Sequence, residues 1–222
     1  MNSQSDQQLL RDYAERQSEE AFAELVRRHV DLVFSAALRM VCDTHLAQDV
    51  TQGVFVALAQ NAGQLANHSV LSGWLHRTAR NLAANTVRSE TRRRTREQEA
   101  AAMNQLNETE ADWETISLYL DAGLGELDDA DRDALMLRYF ERKSAREMAN
   151  ILGLSEEAAQ KRASRAVERL REIFSKRRVT IGAGGLAVLI SANAVQSAPV
   201  GLATAISATI QSPAERLGPA RS

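Results

Sequence analysis

The first 198 residues of this 222-residue chain contain no proline; the three prolines stand at 199, 213 and 219. Proline breaks helix interiors, so its absence over such a length leaves long helices free to form. Only six of the eleven glycines fall before residue 179, and that stretch is rich in Ala, Leu, Arg and Glu, the good helix formers. An all-α chain is expected, which argues against a β-sandwich or a collagen-like fold. The single cysteine, Cys42, excludes an intramolecular disulfide and any multi-cysteine metal site. The four histidines (29, 45, 68 and 76) make no ligand spacing, so no metal, no cofactor and no catalytic residue is expected. The polar, acidic start MNSQSDQQLLRDYAERQSEE lacks the pattern of a signal peptide, which predicts a cytoplasmic protein.

The formal net charge of −2 hides a strong segregation. Residues 1–75 carry five basic and nine acidic groups, and residues 76–96 carry seven Arg and one Glu. Residues 97–133 hold twelve acids against one Arg, whereas residues 134–178 hold twelve basic and six acidic groups. Two basic blocks flank an acidic one, and such blocks are either solvated helix faces or a footprint for polyanions.

Ser5 and Gln8 have capping-box spacing, so a helix is predicted from near Asp6. Apolar residues then recur at helical spacing through Phe22, Leu25, Val26, Leu32, Val33 and Met40, again through Leu46, Val50, Val54, Phe55 and Leu58, and a third time from Trp74 through Leu75, Ala79, Leu82 and Ala83. Three or four antiparallel helices can share this core. The stretch AQNAGQLANHSVLSG, residues 59–73, reads as a loop. His29 and Cys42 read as core residues. On the third helix Arg77, Arg80, Asn81, Asn85, Arg88 and Arg92 share a broad face opposite the apolar stripe, continued by Arg93 and Arg94. Arginines and amides on one face can hold phosphates and base edges.

Residues 6–96 resemble region 2 of the extracytoplasmic-function sigma factors of bacterial RNA polymerase. The likeness rests on DQQLLRDYAERQSEEAFAELVRRH, LAQDVTQGVFVALAQ and WLHRTARNLAANTVR. It implies that Asp49, Gln52 and Phe55 dock on the clamp coiled coil of the polymerase's largest subunit. It also implies that Arg77, Arg80, Asn81, Asn85, Arg88, Arg92 and Arg93 read the minus-ten promoter element. Flipped bases would be held by residues 61–72, with Asn61 and His68 as candidate contacts. Trp74 serves as either a core anchor or a stacking platform. Gly53 and Asn85 stand where the family commonly has acids.

Residues 97–112 read as an acidic linker, either a solubilising spacer or a strand threading a basic channel of the polymerase. A further helix is expected from Trp113, its end loosened by Gly123 and Gly125. Beyond it, LDDADRDALMLRYFERKSAREMANILGLSEEAAQKRASRAVERLREIFSKRR has a helix-turn-helix layout: one helix over 129–140, a second over 144–152 capped by Ser144 and Glu147, a left-handed turn at Gly153, and a last helix over 155–176. Residues 127–174 resemble region 4 of the same family, which reads the minus-thirty-five element. Its candidate contacts here are Ser155, Glu157, Ala158, Lys161, Arg162 and Arg165. Glu156 and Glu157 suit the helix dipole but repel phosphate.

The expected organisation is therefore residues 1–96 as region 2, 97–112 as linker, 113–178 as region 4 and 179–222 as an apolar extension. Residues 179–214 carry no charge. Three readings of the extension stand: a membrane tether over 181–210, two short helices broken at Pro199 that pack on the rest, or a disordered tail. The resemblance implies a transcription-initiation factor whose partners are core polymerase (clamp coiled coil and flap), promoter DNA and an anti-sigma factor, with no reaction chemistry of its own. A stand-alone helix-turn-helix regulator is the alternative, and a nucleic-acid enzyme or a membrane-tethered interaction protein are further ones.

Overall fold

The computed structural model describes residues 4–68, 70–94, 113–181 and 184–211, and all regular structure among them is helical. The linker assigned to 97–112 lies outside the described residues.

The first unit is built from α1 (Asp6–Arg16), α2 (Glu19–Val41), α3 (Thr44–Leu65) and α4 (Leu71–Arg94). Side chains cap the first three at their N-termini. Ser5 and Gln8 close a reciprocal capping box on α1, Ser18 accepts from the Ala21 N–H, and Asp43 accepts from the Leu46 N–H. Each such cap satisfies an orphan donor and contributes about 1 kcal/mol. α2 is the central helix, with Leu25, Val26, Val33 and Ala37 fully buried, and α1, α3 and α4 all pack against it.

Two expectations fail here. The predicted loop 59–73 shrinks to residues 66–70, because α3 runs on to Leu65 and α4 begins at Leu71. Ala62 and Leu65 extend the buried stripe of Val54, Phe55 and Leu58, and that burial outweighs the weak helix propensity of Asn61 and Gly63. Cys42 is exposed rather than buried. It ends α2 in the left-handed region, φ 53°, where the chain turns away from the core.

The second unit comprises α5 (Trp113–Glu126), α6 (Asp129–Leu135) continuing into a π-helical turn (Met136–Phe140), α7 (Ala145–Leu152) and α8 (Glu156–Lys176). Ser144 and Glu147 form the expected capping box, Gly153 supplies the turn at φ 65°, and Ser155 caps α8. The inner stripe of α8, Ala159, Ala163, Ala166, Val167, Leu170 and Phe174, is buried as its spacing predicts. Gly123 and Gly125 do not fray α5, which continues through both. They are places of close approach: a methyl group at 123 would press on Leu170 and Phe174, and one at 125 would overlap the Arg80 guanidinium.

The extension forms two helices, α9 (Gly185–Asn193) and α10 (Leu202–Gln211), joined by a strap that contains Pro199 and turns at Gly201, φ 88°. α9 packs on the π-helical turn and α8, and α10 packs on α2 and α3. Leu186, Ile190, Ile206 and Ile210 are its buried anchors. At nine and ten residues these helices fall well short of the roughly 20 needed to span a bilayer. No helix among the described residues is long and apolar enough to cross a membrane.

Candidate functional site

The first turns of the basic face of α4, at Arg77 and Arg80, meet the second unit. Arg77 approaches Asp129 of α6 at 3.5 Å, and its Nε is buried without a hydrogen-bond partner among the described residues. Arg80 lies across Gly125 of α5, where only a glycine leaves room for the guanidinium. Gly73, near the start of α4, meets Asp133 of α6 closely too; a methyl there would overlap the Asp133 Oδ1. Burial in this contact pushes the Asp133 carboxyl up to about 6, against the pull of His68, Arg132 and Arg77. Asn81 and Asn85, one and two turns further on, are exposed. Arg88, Arg92 and Arg93 continue along the last turns of α4, and their side chains lie outside the described residues.

The two candidates before Trp74 do not sit in an open loop. Asn61 is within α3 and donates its amide to the Ala57 carbonyl at 2.8 Å. His68 is half-buried in the short connector, with Nδ1 3.2 Å from the Val70 carbonyl oxygen. Trp74 is half-buried against the core, as an anchor would be. Of the three docking candidates, Asp49 is exposed, Gln52 is half-buried and Phe55 is fully buried. Phe55 therefore shapes α3 from inside and presents no surface. Gly53 faces α4, where a methyl would lie 3.2 Å from the end of the Leu82 side chain.

The N-terminal half of α8 is open to solvent. Glu157 and Lys161 pair at 2.6 Å on the surface, Arg165 is exposed, and Arg162 and Ala158 are half-buried. The Ser155 hydroxyl accepts from the Ala158 N–H, so it caps the helix. On the surface an i, i+4 pair is worth a few tenths of a kcal/mol, so Lys161 can leave Glu157 for a phosphate at little cost.

One cluster has no counterpart among the sequence expectations. Asp121 of α5 is 4% exposed and receives Nε and Nη2 of Arg39 from α2, at 2.8 and 3.0 Å. His76 of α4 stands 2.9 Å from the same carboxylate. Burial alone would raise the Asp121 carboxyl, but Arg39 and His76 prevail and hold it down to about 2. The only sequence signal was an acid beside the stripe of Ile116, Leu120 and Leu124. A similar pair closes α1 on α2: His29, read as a core residue, is buried 2.6 Å from Asp6. Burial opposes charge on both, yet the contact raises the imidazole, and with Arg28 it brings the carboxyl to about 2. Among the described residues no group of three or more His, Cys, Asp or Glu is placed to hold a metal.

Two family models match this architecture, Sigma-70 region 2 over residues 25–93 and Sigma-70, region 4 over residues 123–172. The chain belongs to the sigma-70 family, in its extracytoplasmic-function group. Among curated relatives, the RNA polymerase sigma factor CarQ of Myxococcus xanthus is 28% identical, over 72% of this chain and 92% of its own length. The ECF RNA polymerase sigma factor SigE of Mycolicibacterium smegmatis is 30% identical, over 69% of this chain and 61% of its own. The probable RNA polymerase sigma factor RfaY of Xanthomonas campestris is 28% identical over 81% of this chain, which spans about half of that relative, 47%. In this sigma factor the first unit carries the region 2 match, the second carries region 4, and α9 and α10 lie beyond both.

Proposed function

We propose that this sigma factor is the promoter-specificity subunit of a bacterial RNA polymerase, acting in the cytoplasm and leaving bond formation to the polymerase. Asp49 and Gln52 on α3 offer the contact for the clamp coiled coil, and region 4 offers the contact for the flap. Arg77, Arg80, Asn81, Asn85, Arg88, Arg92 and Arg93 on α4 face the minus-ten element, with His68 at the head of that face. Lys161, Arg162 and Arg165 on α8 enter the groove at the minus-thirty-five element, where bidentate arginine–guanine contacts are worth about 1–3 kcal/mol each. The observation that carries this reading is the order of the two matches, each containing an arginine-bearing helix.

Transcription from a library of genomic fragments with core polymerase tests it. Addition of the protein should yield transcripts with defined starts, and Arg80→Ala should redistribute them. Identical transcripts with and without the protein would overturn it. The exposure of the α8 tip also suits a stand-alone duplex-binding regulator. Tight duplex binding without polymerase would favour that second reading.

A further inference from the structure

The extension touches both units at once, and it does so at the buried charge cluster. While Nε and Nη2 of Arg39 hold Asp121, its Nη1 donates to the Ala194 carbonyl at 2.6 Å, at the end of α9. The strap is fastened to the same helix at two further points. The Gln196 N–H donates to Ser35 Oγ at 2.7 Å, with the hydroxyl 3.0 Å from the Gln196 carbonyl. The Ala198 N–H donates to Asp31 at 2.8 Å. On either side of this strap, α9 lies on region 4 and α10 on region 2.

Arg39 is 10%, Asp121 4% and His76 1% exposed at their side chains. A pair kept from water is strongly coupled, whereas the same pair in solvent contributes almost nothing. The strap therefore does more than add its own contacts: it is part of the cover that keeps water from the Arg39–Asp121 pair. That pair joins α2 of region 2 to α5 of region 4. Closure in turn places Arg80 on Gly125 and Arg77 beside Asp129. Elements named minus-ten and minus-thirty-five lie about 25 base pairs apart, roughly 85 Å along B-DNA. Two readers held face to face cannot span that distance.

We infer that residues 184–211 are an intramolecular clasp that seals the Arg39–Asp121–His76 junction, holds region 4 on region 2 and thereby inhibits promoter reading in cis. The inference rests on the sigma-factor reading for its consequence in transcription, but not for its mechanics. Spin labels at Glu15→Cys and Glu172→Cys, both exposed positions, in a Cys42→Ser background report the distance between the regions without any polymerase. The full chain should give one short, narrow distance. Truncation after residue 178 should lengthen and broaden it, and should raise start-specific transcription severalfold at limiting sigma factor. Should the truncated chain aggregate, Asp31→Ala with Ser35→Ala in the full chain removes two fastenings and should shift part of the population to the longer distance. An unchanged distance in both variants overturns the clasp, even if both support transcription. A longer distance without start-specific transcripts from any form leaves the clasp standing and removes the sigma-factor reading. A longer distance with transcripts undiminished but no more abundant overturns the inhibitory role.

Discussion

The two surfaces proposed to meet DNA differ in what covers them. On α8, Lys161 and Arg165 stand in solvent, and Lys161 pairs with its own neighbour Glu157. On α4, Arg77 and Arg80 lie against acids and a glycine of the other region, beside a carboxyl held up to about 6. A reader that meets relaxed duplex can stay exposed. One that must bind separated strands can be kept covered until a partner has opened both protein and DNA. The charge blocks alone made the two surfaces look equivalent; packing makes them different.

That contrast can be broken most severely at Asp121. Asp121→Ala should leave Arg39 and His76 buried without their partner and cost about 3–5 kcal/mol, read by urea denaturation. The wild-type junction should itself weaken in acid. The folded carboxyl titrates near 2 against an ordinary 3.8, so its contribution is present above about pH 4 and lost as pH falls toward 2. Gly125→Val should come next. Its side chain would displace Arg80, costing closure about 1–3 kcal/mol. Binding of single-stranded minus-ten oligonucleotides should then tighten while duplex binding through α8 stays level, as fluorescence anisotropy would show. A parallel gain on both surfaces would erase the contrast.

Asp133→Asn should act in the opposite direction and more gently. Its folded pKa is raised, so the folded state holds a proton that the unfolded state releases, and stability falls as pH rises from about 4 to about 6. The asparagine variant should be more stable than wild type at pH 7.5, by about 1–2 kcal/mol once solvent screening of this half-buried group is discounted, and the two should converge at pH 4. The smallest effect belongs to the open surface. Glu157→Ala should change stability by less than about 0.5 kcal/mol, yet strengthen duplex binding by freeing Lys161. Weaker binding would instead mark Glu157 as a base contact.

Local signals in the sequence carried the all-α class and most helix boundaries. Ser5, Ser144 and Ser155 announced their helices because a cap is a contact over three residues, and the α8 stripe was legible because burial repeats at helical spacing. Asn61 and Gly63 misled because a tertiary core, built from Ala62 and Leu65, overrides local preference. Gly123 and Gly125 misled because the neighbours that demand a missing side chain come from α8 and α4. The Asp121 junction was illegible for the same reason. Its partners stand 45 and 82 residues away, and no pattern within a helix points to them. The arginine face of α4 was legible from helical spacing, and the family likeness gave it a role; that Arg77 and Arg80 are covered came only from the fold.

The uncharged run 179–214 has one more consequence. Release of the clasp would bare Leu186, Ile190, Ile206 and Ile210 together, on a ribbon with no charge to keep it solvated. Chaperones and proteases patrol the cell for such surfaces. The molecules able to start transcription would thus be the ones cleared fastest, which would give each burst of gene expression a finite lifetime without any dedicated off-signal.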